Sequence, residues 1–262
     1  MSEKRLRSHS EVTGIKLVGQ PPPIDDPLTV IAGYAFTSRK MELSMSDRVV
    51  IGEDPSPERP RWGYRTYDCV AATEGSELVG ADVLIAAGLN GDLTVDRVGA
   101  IQAAAPPVGE AIARIDEMLG ERDAPTFWEL DRTEIEQPGS EDGVGWWMHR
   151  AWSCLMRQKG VDVAITHKTL HHKRPLVFPL LDGKTIRCFD DRAAWAGIHD
   201  DLTKQRDAWK QLEAEFADLI DASRGEVALA RLRMHDILLW LRAVGEDELA
   251  REAGADWLKK RR

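Results

Sequence analysis

Apolar residues recur at three- and four-residue spacing through most of this chain, and that periodicity predicts helices. Residues 1–27 are the exception: they end in PPPIDDP, carry little periodicity and read as a flexible N-terminal segment. A short helix is expected from Leu28 to about Thr37, followed by a charged, proline-bearing loop from Asp47 to Pro60 with a small strand at Val49–Ile51. Helical pattern resumes at Val79, where Val83, Leu84, Ala87 and Leu89 share a face. A further helix begins at Thr94 with Val95, Val98 and Ile101, its positive end near Asp92 and Asp96. Pro106 and Pro107 should break it and open another, in which Val108, Ile112, Ile115 and Leu119 recur until Gly120 stops it. Residues 134–145 read as a linker-like loop, and an aromatic-rich helix, Trp146–Arg157, runs up to Gly160. Three helices are expected beyond the next segment: one long helix from Asp200 to Ser223, then Val227–Val244, then Glu246–Lys260. Strand signals are scarce, so the expected class is all-α.

Composition narrows the function classes. At 262 residues with 43% hydrophobic content, the chain can bury a sizeable core. No apolar run reaches about 18 residues and the basic N-terminus has no apolar core behind it, so neither a membrane span nor a secretory signal is expected. Cys69, Cys154 and Cys188 are odd in number and far apart, which suits reduced thiols in a cytoplasmic protein better than a disulfide scaffold or a metal knuckle. The net charge of −9 argues against a nucleic-acid-coating protein, but it is unevenly spread. Arg150–Arg187 holds eight basic and two acidic residues, and His149, His167, His171 and His172 lie in or beside it. A focused basic stretch in an acidic chain points to a local anion site; a solvated helix face is the plain alternative.

The chemistry-bearing residues fall in Gly160–Arg187. Gly160 permits the positive φ of a sharp helix-to-helix turn. Val163, Ile165 and Leu170 would then pack the second helix against the first, and its N-terminal N–H groups suit a phosphate. Lys168, His171, Lys173 and Arg174 would extend that anion site before Pro175 ends the helix. The apolar run Leu176–Leu181, interrupted by Pro179, should cross the core and deliver Asp182 to an N-cap, with Thr185, Ile186 and Arg187 following. Asp182 read from the residues alone is a helix cap, a catalytic acid, or both.

The segments Gly160-Val161-Asp162-Val163-Ala164 and Leu181-Asp182-Gly183-Lys184-Thr185-Ile186-Arg187 resemble the helix-hairpin-helix DNA glycosylase superfamily. There a hairpin of the form G-V-G-x-K/x-T-A precedes V-D-T-H-V-x-R at a matching interval. The segment KTLHHKRPLVFPLLD also resembles an uncharacterised bacterial domain family, with further likeness in YAFTSRKMEL, TYDCVAA, ADVLIAAGLN and RLRMHDILLWLR, so that residues 28–262 read as one domain. The resemblance implies a two-lobed glycosylase-like fold, with one lobe around 67–185 and the other made of 28–66 plus 186–262. It implies that Gly160, Val161 and Val163 grip a DNA phosphate through backbone amides and that a base is flipped into a pocket between the lobes. Asp182 would stabilise the cationic sugar or activate water as the base departs, with Lys184 and Arg187 keeping it ionised.

Departures from the pattern shape the expectation. Ala164 stands where lyase-active members carry a Schiff-base lysine, which leaves monofunctional cleavage, with Lys168 one turn on as a substitute candidate. Asp162 replaces the second hairpin glycine, and its carboxylate opposes phosphate binding. No cofactor and no metal are expected, since His171 and His172 diverge on a helix and lack a paired acid or thiol. Trp146 and Trp147 read as a packing anchor rather than a duplex wedge, Tyr67 and Asp68 as pocket-lining candidates, and Asp236 as a partner for Arg231 or Arg233. The expected activity is N-glycosidic cleavage of a damaged or modified base, with DNA or a nucleotide as partner. A non-catalytic binding module of the same fold and an enzyme acting on a free nucleoside are the alternatives.

Overall fold

The computed structural model describes residues 12, 14–40, 58–89, 91–120, 126–136, 138–189 and 194–261. Among them two small antiparallel hairpins, β1 (Gly14–Leu17) with β2 (Gln20–Asp25) and β3 (Ser38–Lys40) with β4 (Glu58–Pro60), accompany a mostly helical chain. The α-helices are α1 (Pro27–Phe36), α2 (Gly80–Leu84), α3 (Val95–Gly120), α4 (Arg132–Glu136), α5 (Val144–Met156), α6 (Val163–Lys173), α7 (Ala194–Lys204), α8 (Arg206–Ala217), α9 (Arg231–Val244) and α10 (Asp247–Lys260). A π-helical turn, Tyr64–Asp68, and short 3-10 turns at Ile85–Leu89 and Thr185–Cys188 complete the parts that matter below. One buried cluster runs from Ile15 and Tyr34 through Ile112, Leu155 and Phe178 to Trp209 and Leu238. No helix among the described residues is long and apolar enough to cross a membrane.

Several expected elements change. Within the segment read as flexible, β1 and β2 are paired, with Ile15 and Ile24 fully buried. The prolines that hid the strand sit in a two-stranded sheet, where a missing N–H costs little. The hairpin is fastened to α7, since the Val18 amide donates to both Asp201 oxygens at 3.1 and 3.0 Å. Asp26, in left-handed conformation at φ 46°, and Pro27 start α1, close to where periodicity put it. The strand expected at Val49–Ile51 lies outside the described residues.

Pro106 and Pro107 do not divide the helix: α3 runs through both. Its stripe Ile101, Ala104, Val108, Ile112, Ile115 and Leu119 is buried along the α5 side. Burial of about five large side chains, each worth roughly 1.5–3 kcal/mol, outweighs a proline penalty of about 3 kcal/mol. The loop expected at 134–145 begins inside α4, and the long helix expected over Asp200–Ser223 is two, α7 and α8. They part at Gln205, whose side chain bridges Lys16 of β1, while the Trp209 indole takes the Asp201 carbonyl at 3.0 Å. The penultimate helix starts at Arg231 rather than Val227, and Gly245 at φ 75° closes it before α10.

Two features position the site. The α1–α10 crossing is so close that a Cβ on Gly33 would stand 1.8 Å from the Ala250 carbonyl oxygen, and one on Gly254 would stand 2.0 Å from that of Thr29. The second feature is α6, which lies buried from Ile165 to Lys173. Its imidazoles hold the chain that returns over it. His167 Nδ1 donates to the Pro179 carbonyl at 2.7 Å while Nε2 accepts from the Trp152 indole at 3.2 Å. His171 Nδ1 donates to the Phe178 carbonyl at 2.7 Å. This clasp fixes the path that ends at Asp182.

Both imidazoles must stay neutral. Burial pushes His167 down to about 4, and burial together with Arg233 pushes His171 down to about 3, despite the carbonyls they face. At these two sites the unfolded chain binds more protons than the folded one below pH 6.5, and their contribution to stability is lost as pH falls toward those values. In urea unfolding between pH 7 and pH 5, the wild type should lose on the order of 2 kcal/mol more than His171→Asn does, a difference in which the titrating groups common to both proteins cancel. Parallel profiles in the two proteins exclude the clasp as described. Gly33→Ala and Gly254→Ala should each destabilise by about 1–3 kcal/mol at pH 7 in the same assay.

Candidate functional site

The turn between α5 and α6 is built as its sequence implies. Gly160 takes φ +81° and stands exposed, Val161 is buried, and Val163 opens α6 half-buried. What differs is Asp162. Its side chain caps α6, Oδ1 accepting from the Ile165 amide at 2.9 Å. A carboxylate of the chain itself thus occupies an N–H donor that the expected phosphate would need.

The basic residues beyond it divide sharply. His171 and Lys173, expected to face an anion, are buried: His171 in the clasp, and Lys173 with no exposed surface at all. Lys173 Nζ donates to Thr73 Oγ1 at 2.5 Å, the Glu74 carbonyl at 3.2 Å and Asp82 Oδ2 at 3.3 Å. A buried ammonium needs such partners, so Lys173 ties α6 to α2. Arg174 is equally committed: Nε and Nη2 take the two Asp116 oxygens at 2.7 and 2.5 Å, and Nη2 also reaches the Gly75 carbonyl. Lys184 and Arg187 are exposed, and neither lines the cavity. Among these cations only Lys168 reaches the site.

That site is a cavity of about 560 Å³. Lys168, Leu180 and Asp182 enter it from α6 and the segment held over α6, and Thr66, Gly88 and Leu89 from the two turns that pack on them. Tyr34, Trp62, Arg233, Asp236, Trp240 and Glu246 face them. The Tyr34 and Trp62 rings stack at 6.1 Å, and the Trp62 indole donates to Glu246 Oε2 at 2.8 Å. Asp182 Oδ1 accepts from the Lys184 and Thr185 amides, each at 2.8 Å, and caps the short turn that follows. Its other oxygen, Oδ2, has no protein partner among the described residues and borders the cavity. Lys168 Nζ donates to the Leu89 carbonyl at 2.7 Å. Burial lowers the Lys168 pKa, with Asp182 and Asp236 opposing that shift.

Behind the opposite wall lies a charge cluster. Arg233 grips Asp68 with two nitrogens, Nε at 2.6 Å and Nη2 at 3.1 Å, donates to the Tyr34 hydroxyl at 2.6 Å, and binds Asp236 Oδ2 through Nη1. Of the alternatives open in the sequence, Asp236 pairs with Arg233, while Arg231 pairs with Glu213. Burial, reinforced by Asp182 and Asp68, pushes the Asp236 carboxyl up to about 7 against the pull of Arg233. Tyr67 and Asp68 stand behind the cavity wall rather than on it, with the Tyr67 hydroxyl donating to the Lys168 carbonyl at 2.7 Å. Trp146 and Trp147 pack edge to face at 4.6 Å and take no part in the cavity.

Asp182 and Lys168, singled out in the sequence, both line the cavity; Tyr34, Trp62, Arg233 and Trp240 line it too but were not expected there. The available signal was Arg233 and Asp236 at i and i+3 on an otherwise apolar helix, since buried charges of that kind are kept only when paired. No curated protein and no solved structure matches the chain, so the comparisons carry no link to the helix-hairpin-helix glycosylases. Residues 51–243 match one family, and that span includes Asp68, Lys168, Asp182, Arg233, Asp236 and Trp240. With most of its length inside that match, the chain belongs to DUF6308, a family of unknown function.

Proposed function

We propose that this protein cleaves an N-glycosidic bond, releasing a damaged or modified base, in a two-lobed helix-hairpin-helix glycosylase-like fold. The observation that carries the reading is Asp182: one oxygen pinned by two backbone amides, the other free at the wall of an aromatic-lined cavity. When a base leaves, positive charge develops on the sugar, and a carboxylate already oriented by the backbone stabilises it without reorganising. Trp240, half-buried at the wall, offers a π-face on which an extruded base stacks, while the Tyr34 and Trp62 rings already stack on each other and carry Arg233 and Arg61 over them. The cavity draws Lys168 and Asp182 from the proposed 67–185 lobe, and Tyr34, Trp62, Arg233 and Asp236 from the proposed 28–66 and 186–262 lobe, which supports a base bound between them. With Ala164 in the hairpin, cleavage is monofunctional; Lys168 supplies a cation beside Asp182.

Asp162 favours a second reading, in which the same cavity acts on a free nucleoside. Its carboxylate fills the hairpin amide, and His171 and Lys173 are turned inward, so the grip on a DNA backbone loses three of its expected parts.

The test is base release, followed by chromatography, from duplexes carrying modified bases and from free nucleosides. Asp182→Asn should lower the rate by about 100-fold or more while leaving thermal melting unchanged, because the amide oxygen still accepts the two N–H bonds. Equal activity in Asp182→Asn removes the mechanism, and binding without release in the wild type makes the protein a binding module. Asp162→Asn keeps the cap but removes its charge. If the hairpin meets DNA, that variant should bind duplex more tightly, with a steeper salt dependence; unchanged DNA binding alongside nucleoside cleavage selects the second reading.

A further inference from the structure

We infer that Asp236 is the proton donor to the departing base, resting on the reading that the cavity cleaves an N-glycosidic bond. A single buried guanidinium, Arg233, serves two buried carboxyls, Asp68 and Asp236. Asp68 receives two of its N–H groups and the Tyr34 hydroxyl, the latter at 3.1 Å. Asp236 receives only one, on Oδ2. Two carboxylates with one cation leave an excess negative charge in a desolvated place, and that charge is removed when one carboxyl keeps its proton. The carboxyl with fewer donors keeps it.

Asp236 is also the one of the two that borders the cavity, and its Oδ1 has no protein partner among the described residues. The charged or titratable groups around it are Arg233 on its own helix, Tyr34 on α1, Asp68 and Tyr67 on the π-helical turn, Lys168 on α6 and Asp182 beyond it, with Arg61 and Glu246 lining the same cavity. Asp182 adds to the negative field that holds the proton on Asp236. The two acids of the cavity therefore sit in different settings: Asp182 is anchored by two backbone N–H donors, and Asp236 keeps its proton.

The step balances. The C1′–N bond breaks with its electron pair going to the base nitrogen system, and the Asp236 proton goes to the base. Asp182 stabilises the sugar cation, water adds its oxygen to C1′, and the proton it sheds passes through Asp182 to solvent. Asp236 regains a proton from solvent. Base and sugar are the products, with one water consumed.

A base that already carries a positive charge needs no proton to leave, which makes the leaving group the test. Asp236→Asn should lose about 100-fold or more on neutral bases yet keep near wild-type release of a purine methylated at N7. Wild-type release of neutral bases should decline as pH rises through about 7, and the variant should lose that dependence. Carbon-13 carboxyl NMR of aspartate-labelled wild-type protein provides a second readout independent of the variant's folding. One resonance should titrate near neutrality and be absent from Asp236→Asn. The donor role is overturned if Asp236→Asn falls equally on neutral and cationic bases, if it falls on neither, or if the Asp236 resonance is fully ionised at pH 5. Should Asp182→Asn abolish release in the same experiment, the cleavage reading survives that failure. Should the wild type release no base from any substrate, both fall together.

Discussion

Two neutral imidazoles hold the segment on which the cavity depends. A segment written PLVFPLLD has no helix or sheet to satisfy its backbone, and its carbonyls at Phe178 and Pro179 are buried against α6. An unpaired buried carbonyl costs on the order of 1–3 kcal/mol, so the segment needs donors. His171 and His167, one turn apart on α6, supply them to successive carbonyls. The consequences spread outward by contact. Lys168, between them in sequence, hands its carbonyl to Tyr67 and its ammonium to Leu89, which sets the far wall of the cavity. Thr66 then takes the Gly88 carbonyl at 2.7 Å. Asp182 is the free end of this arrangement, fixed by where Phe178 and Pro179 are held.

Arg233 does for the opposite wall what the histidines do for this one, at higher electrostatic cost. Burying a guanidinium is tolerated only with near-complete pairing, and its partners come from three elements: Tyr34 on α1, Asp68 on the π-helical turn and Asp236 on its own helix. The ring faces of Tyr34 and Tyr67 lie 5.5 and 5.4 Å from it. Tyr34 is in reach because α1 crosses α10 at glycines, bringing the backbones together. A structural device and a chemical one coincide here, since the cation that assembles this wall also governs the proton on Asp236.

Much of the helical framework was legible because buried stripes leave a period in the sequence. Val108, Ile112, Ile115 and Leu119 share one buried face as their spacing predicts, but Pro106 and Pro107 do not break the helix. Pro106 is exposed and Pro107 half-buried, and the carbonyls that lose an N–H donor to them belong to the exposed residues Gln102 and Ala103. The break at Gln205 was invisible for the opposite reason: it is made by side chains from residues 16 and 209, remote from any local pattern. In the site, Gly160 and Asp182 were legible since each acts through its own backbone or cap. The inward fate of His171 and Lys173 was not. A basic cluster has the same composition whether it faces solvent or Asp82 and a row of carbonyls, and only long-range packing distinguishes the two.

That inward turn alters what the local positive charge of the chain means. Lys168 and Lys173 are satisfied inside the fold by Leu89 and Asp82, and Arg174 pairs with Asp116 in a half-exposed position. The cations left exposed near the hairpin are Arg157 and Lys159, with Arg97 packed against Gly160. In the DNA reading, a phosphate would meet these side chains, of which Arg97 already pairs with Asp92, and the Asp162 carboxylate, rather than a preorganised row of amides. Side chains of that kind give screened, sequence-blind attraction that weakens with salt. In that reading, affinity for substrate would come mainly from the cavity: its aromatic walls, the Lys168 ammonium, and the acids Asp182 and Asp236. Under the proposed cleavage reading, a site built that way would discriminate by the base and sugar it encloses, whether or not a polymer is attached to them.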